Sequence, residues 1–382
     1  MRASPVPRLS PLEVAAGFPI GAAAPTPSTE VPAGGPVAAL EDAMLPALQR
    51  GPCVVSFSGG RDSSAILALA TRLARREGLA VPVPVTLRFP EAPAADESAW
   101  QEQVVRHLGL IEWERVEVTD ELDLVGPVAG VVLRRHGLLW PPNTHFHQPI
   151  LDRARGGAVL TGIDGDGLFA SWRWARPARI VRGRLRPQSS DLPRMLLASA
   201  PTTLRGAVER RRPPIALRWL SARGQADLDE VRAEERASEP ARWDRWIDWY
   251  ARRRSLRMVI EGLRLLAGDV DVLPVHPFAD PRFLGTLARD RRWGGIGDRT
   301  RAMELLCGDL LPQEVVQRGS KAGLDVPFWN RHSRAFARAW DGDGAGELVD
   351  ARALRDEWRS ATPHACASTL LQAQWLDARP SR

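Results

Sequence analysis

The sequence predicts an α/β fold, a parallel sheet with helices on both faces, followed by a mostly helical C-terminal lobe. Three observations predict it. The run Val54-Val55-Ser56-Phe57 stops at Ser58-Gly59-Gly60, and a helical pattern follows with Ile66, Leu67, Ala70 and Leu73 on one face. Strand and helix patterns then alternate to about residue 118, as in sheets whose parallel strands are joined by helices. A further apolar run, Ala158-Val159-Leu160-Thr161, again ends in glycines, from Gly162 to Gly167. Ligands in such sheets bind at the carboxyl ends of the strands, where both glycine-rich turns fall.

Taken in order, residues 1–36 are rich in Pro, Ala and Gly and read as an irregular leader, with an ordered piece near Phe18-Pro19-Ile20. Residues 37–171 read as the α/β core. Leu40, Met44, Leu45 and Leu48 mark a helix that Pro46 interrupts. Val81 to Phe89 reads as a strand whose two prolines confine it to an edge or place them among its first residues. Asp96-Glu97-Ser98 opens a helix that carries Trp100, Val104 and Val105 and stops at Gly109. Trp113 to Val118 is the next strand. Trp140 to Gln148 reads as a loop, and its His145 and His147 lack further ligands at metal-site spacing, so they read as pocket lining or surface. Ile150 to Arg155 reads as helical, ended by Gly156-Gly157.

Residues 172–382 read as the helical lobe. Trp243, Trp246, Ile247 and Tyr250 recur at helical spacing, as a core stripe does. Arginines interleaved with tryptophans also suit a nucleic-acid surface. The whole chain is arginine-rich, however, so solvated arginines are the plainer reading and a nucleic-acid partner is not expected. Leu273 to Pro281 reads as a loop leading to a helix around Phe283 to Leu287. Met303 to Leu311 reads as helical, and the segment Arg318-Gly319-Ser320-Lys321-Ala322-Gly323 as flexible and cationic.

At 382 residues and a formal charge of +6, the composition is that of a globular protein without a membrane span or signal peptide. Cys53, Cys307 and Cys366 form no disulfide framework or Cys-x-x-Cys pair, and a cytoplasmic location is the expectation. Of the 52 basic residues 51 are arginine, and Lys321 is the only lysine. A position that keeps lysine in such a chain points to a need for a compact ammonium on a flexible stem.

The first glycine turn has the chemistry of an anion site. Free backbone N–H groups meet the positive end of a helix dipole there, and Gly59 and Gly60 let the backbone approach phosphate oxygens. Asp62 stands where a carboxylate can hold a metal ion against those phosphates. Neither G-x-x-x-x-G-K-[ST] nor G-x-G-x-x-G is present. In the second turn, Asp164 and Asp166 lack the closing acidic residue of a calcium loop, so a loop carrying carboxylates at a strand end beside the phosphate site reads as the source of a second metal ligand.

The string Ser58-Gly59-Gly60-Arg61-Asp62-Ser63 resembles the S-G-G-x-D-S pyrophosphate loop of the N-type ATP pyrophosphatases. Together with Asp96-Glu97-Ser98, Leu160 to Phe169 (similar to L-S-G-x-G-x-D-E-L-F), Pro277-Phe278-Ala279-Asp280 (similar to P-F-L-D) and Ser320-Lys321, it resembles the synthetase domain of the asparagine synthetase family. The resemblance runs in order from about Leu40 to Phe328. It implies a fold like that of the adenine nucleotide alpha hydrolases and an AMP-forming ligase. A carboxylate attacks the α-phosphate of ATP, pyrophosphate leaves, and an amine displaces AMP to give an amide. It further implies that Asp62 and Asp166 hold Mg²⁺, and that Ser58, Gly59, Gly60, Ser63 and Ser64 cradle phosphates. Leu87, Thr161 and Gly162 would contact the nucleoside, and Lys321 would neutralise charge on the α-phosphate and departing pyrophosphate.

Departures narrow the substrate. About forty residues precede the synthetase-like part, too few for the family's glutaminase domain, so glutamine-derived ammonia is not expected from this chain. Ile163 stands where asparagine synthetases carry the glutamate associated with the reacting carboxyl group, Gly167 replaces an acidic residue, and Ala279 a leucine. Relatives that use an amine already on the substrate, such as lasso-peptide macrolactam synthetases, suit these changes better. β-Lactam synthetases use a Tyr–Glu base, and the one tyrosine, Tyr250, lies far along the chain from any such motif. The expected partners are a carboxylate substrate (peptide or small molecule), an amine, and a protein that delivers substrate. The competing readings are an RNA-modifying pyrophosphatase and a nucleotide-binding protein without catalysis.

Overall fold

The computed structural model describes residues 7–23, 31, 33–170, 172–319 and 328–378. Its centre is a five-stranded parallel sheet of order β3-β2-β1-β4-β5. The strands are β1 (Cys53–Ser56), β2 (Val83–Arg88), β3 (Glu114–Glu117), β4 (Ala158–Thr161) and β5 (Leu273–Val275). Val54, Val85 and Val159 pack into an apolar cluster on one face, with Ile150, Leu151 and Leu266. Val55, Ala158 and Leu160 turn to the other, with Leu40, Met44, Ile66 and Leu69. Strands covered on both faces explain why the core runs are apolar without alternation.

Helix α2 (Pro36–Leu48) continues through Pro46 near its end, so the helical pattern is not interrupted there although the proline forgoes its own backbone hydrogen bond. Helix α3 (Arg61–Glu77) follows β1 directly and stops at Gly78, whose φ of 67° is left-handed. Helix α4 (Ser98–His107) returns the chain to β3, and α5 (Pro127–His136) and α6 (Gln148–Arg153) lead to β4. Helix α7 (Gly165–Ala170) opens the helical lobe.

The structure corrects two expectations and settles a third between its alternatives. The stretch from Leu273 to Val275 is a strand, not a loop, paired in parallel with β4 from Ala158↔Leu273 to Leu160↔Val275. Strand β2 is internal and its Pro84 lies among its first residues, the second of the two expected placements, tolerated because pairing with β3 begins one residue later, at Val85↔Glu114. The leader is not irregular throughout, because Pro11–Ala16 form helix α1, with a reciprocal cap between Ser10 and Glu13. The buried Glu13 carboxylate also pairs with Arg254 at 2.8 Å, and Trp219 Nε1 donates to Ala15 O at 2.8 Å. Tertiary contacts thus stabilise a helix too short to persist alone.

In the helical lobe, Trp172, Trp243, Trp246 and Tyr250 form a buried aromatic column, with Trp243–Trp246 and Trp246–Tyr250 stacked at 5.0 and 4.8 Å. The stripe is core. No helix among the described residues is long and apolar enough to cross a membrane.

Candidate active site

Strand order reverses between β1 and β4, so the loops after these two strands face each other across the switch point. Their residues line a cavity of about 340 Å³. Ser58, Gly60, Asp62, Ser63, Leu87, Thr161, Gly162 and Asp166 all border it. Gly59 and Ser64 do not. Gly59 packs on α4, and Ser64 is fully buried in α3. Lys321 lies outside the described residues.

The first loop is held by its own hydroxyls. Ser58 N donates to Ser63 Oγ at 3.2 Å, Gly60 N to Ser58 Oγ at 3.2 Å, and Ser63 Oγ to Gly60 O at 3.1 Å. Gly59 turns the chain at φ 83°, a conformation that strains residues with a Cβ. Two outside side chains bind the loop's carbonyl oxygens: Gln101 Nε2 donates to Ser58 O at 2.9 Å and Arg318 Nη1 to Gly59 O at 3.0 Å. Arg318 is buried, ion-paired with Glu97 and stacked on Trp100 at 4.8 Å. Helix α3 begins at Gly60 with no side-chain cap, which leaves its first N–H groups to a ligand.

Asp62 and Asp166, far apart in sequence, meet on one guanidinium. Arg299 Nη2 lies 2.5 Å from Asp62 Oδ2, and Nη1 pairs with Asp166. The approach is close because residue 165 is glycine, whose Cβ would otherwise stand 2.4 Å from the Asp62 carboxylate. Burial pushes the Asp62 carboxyl above its ordinary value, opposed by the hydrogen bond and charge of Arg299. Asp62 Oδ1 is buried with no hydrogen-bond partner. Among the described residues no cluster of three or more His, Cys, Asp or Glu could hold a metal. Mg²⁺ needs no such cluster, because one or two carboxylates plus substrate phosphates and water suffice. The two aspartates therefore fit that ion.

Across the cavity from the glycine turn, Thr161 Oγ1 lies 2.7 Å from Nδ1 of His276, the residue that follows β5. Leu87, Phe89, Phe146, His147, Ile150 and Phe328 make an apolar wall. His145 and His147 are buried, and His147 is cavity lining rather than surface. Burial pushes the pKa of His276 down to about 4 and that of His147 down to about 3. In the unfolded chain both titrate near 6.5, so the unfolded state takes up protons first. The stability these neutral rings contribute is complete above pH 6.5 and is lost as pH falls towards 4. A melting series from pH 7 to pH 4 should show this loss, about 3 kcal/mol from His276 at the acid end. His276→Gln should flatten part of that slope; an identical slope would remove His276 as its source.

The chain matches the family described as asparagine synthase along residues 38–376. It belongs to the asparagine synthase family. Comparison with curated protein sequences gives no match. Membership makes residues 38–376 an ATP-dependent synthase domain, a ligase that forms C–N bonds.

In this synthase domain the second glycine loop is rebuilt at two positions. Asp164 stands where the L-S-G-x-G-x-D-E-L-F pattern has glycine, and it adopts a left-handed φ of 75°. Gly167 stands where the pattern has glutamate. Tyr250 links the two changes: its hydroxyl donates to Asp164 Oδ1 at 2.6 Å, and a Cβ on Gly167 would lie 2.2 Å from that hydroxyl. Burial pushes the Asp164 carboxyl up to about 7. Tyr250, remote in sequence, thus abuts the site, and its hydroxyl fills space that a side chain at 167 would need. Gly167→Ala should destabilise the protein by about 1–3 kcal/mol through overpacking. In a Tyr250→Phe background the same substitution should cost less, and strictly additive melting shifts would show that the two positions are independent.

Arg299, Tyr250 and Arg318 are the site residues that sequence reading missed. Arg299 and Arg318 are two of 51 arginines and carry no local signal. Tyr250 sits in a helical stripe that reads as core, which it also is.

Proposed function

We propose that the protein adenylates a substrate carboxylate with ATP, releasing pyrophosphate, and joins the acyl group to an amine carried by the same peptide or small molecule, forming an amide or lactam. One observation carries this reading: the pyrophosphate-type loop and the Asp166 loop converge at the switch point on a common cavity. The reading assigns the phosphates to the N-terminus of α3 and to the Ser58 and Ser63 hydroxyls, and the nucleoside to Leu87, Thr161 and Gly162. Asp62 and Asp166 would hold Mg²⁺, which supplies charge neutralisation at the phosphates when bound. Lys321 would neutralise the charge developing on the α-phosphate and the departing pyrophosphate. Ile163, apolar where asparagine synthetases have glutamate, together with Phe89 and Phe328 favours an acyl substrate less polar than aspartate. A partner protein that presents the peptide completes the proposal.

The test is incubation of the protein with Mg·ATP and candidate amino-carboxylates or peptides, with the carboxylate labelled with ¹⁸O. AMP and pyrophosphate should form, with one label passing to AMP. ADP and phosphate would overturn the adenylation reading.

A further inference from the structure

The two carboxylates assigned to the metal are closed on a cation that belongs to the chain itself. Arg299 is the first residue of the helix Arg299–Cys307, whose cap Asp298 accepts from Arg301 N at 3.0 Å. From that fixed base its side chain, 20% exposed, enters the cavity wall and pairs with both Asp62 and Asp166. Arg61 reaches the same helix, Nη1 donating to Thr300 Oγ1 at 3.1 Å. One guanidinium therefore already bridges the two carboxylates, and the charge of Arg61 adds to it from nearby. At Asp62, whose side chain is largely buried, like charges repel more strongly than they do in bulk solvent. A free divalent cation would have to join Arg299 at the same carboxylates or displace it into the cavity without a partner.

Nucleotide phosphates change that balance. A guanidinium fork suits phosphate oxygens as well as carboxylate oxygens. When phosphates lie at the start of α3, Arg299 can exchange its carboxylates for phosphate while Asp62 and Asp166 turn to the metal, and every charge keeps a partner. We infer that Arg299 is a resident counterion that excludes divalent metal from the Asp62–Asp166 pair until nucleotide arrives, and that it then serves as a phosphate clamp. The inference rests on the ATP site proposed above and adds an order of binding to it: metal enters with nucleotide and not before.

Electron paramagnetic resonance of free Mn²⁺ tests the order without any turnover. The full-length protein should bind Mn²⁺ at least tenfold more tightly with the non-cleavable α,β-methylene ATP than alone. Arg299→Met should bind Mn²⁺ alone at least tenfold more tightly than the parent protein does, and adding Asp62→Asn to that variant should abolish the gain. Tight binding of Mn²⁺ alone by the parent protein would overturn the inference, and that measurement needs no variant to fold. An Arg299→Met protein that binds Mn²⁺ no better than the parent would also overturn it. If the parent binds neither the nucleotide nor Mn²⁺ with it, the ATP site itself is wrong, whereas a gain in Arg299→Met still establishes the counterion.

Discussion

Asparagine in place of Asp62 should leave the fold intact and lower ATP–pyrophosphate exchange by 10²- to 10³-fold. Asparagine keeps the shape of the side chain and removes its charge, so the first turn of α3 has no reason to change. Burial already disfavours the ionised carboxyl, and Arg299 retains Asp166 as a partner. The melting temperature should therefore move by a few degrees at most. What is lost, on the proposed function, is one of two charges that would hold metal against the phosphates, and preorganised charge of this kind is worth about 3–4 kcal/mol in the transition state. Exchange assays across a Mg²⁺ series, beside a melting curve, check both halves. Undiminished exchange would remove Asp62 from the metal site.

Lys321→Arg should have an effect of similar size on turnover and almost none on affinity. Lys321 itself lies outside the described residues. Every other basic position in this chain is arginine, including Arg318 three residues earlier, so the substitution follows the chain's own bias and keeps the charge. A planar fork cannot replace a compact ammonium that must follow a phosphate through a reaction. The expected result is a loss of at least 10²-fold in kcat with KM for ATP changed less than threefold. A fully active variant would show that the single lysine is an accident of composition.

Much of the α/β core was legible because its strands and helices carry strong periods. The first glycine-rich turn was legible because strand, glycines and helix follow one another without interruption. Strand β5 was not, because Leu273-Pro274-Val275 is three residues long and half-buried, too short for any period to show. Helix α1 had one local sign, Ser10 and Glu13 around Pro11, but the contacts that hold Glu13 come from Arg254, 241 residues away. The same distance problem hid half of the candidate site. Asp62 and Asp166 are visible as carboxylates in glycine-rich turns, whereas the arginine that joins them looks like fifty others. Tyr250 looked remote because sequence separation was read as spatial separation, and Asp164 is 86 residues from it.

The two side chains that bind the phosphate loop from outside have one further effect. A peptide unit is flat and trans, so its oxygen and its hydrogen point in opposite directions. Gln101 holds the oxygen of the Ser58–Gly59 unit and Arg318 that of the Gly59–Gly60 unit. Each therefore sets the direction of the amide hydrogen at the far end of the same plane, and the Gly60 hydrogen meets Ser58 Oγ. The orientation of these two peptide planes is thus fixed from outside the loop, by Gln101 on α4 and by an arginine 259 residues downstream of Gly59.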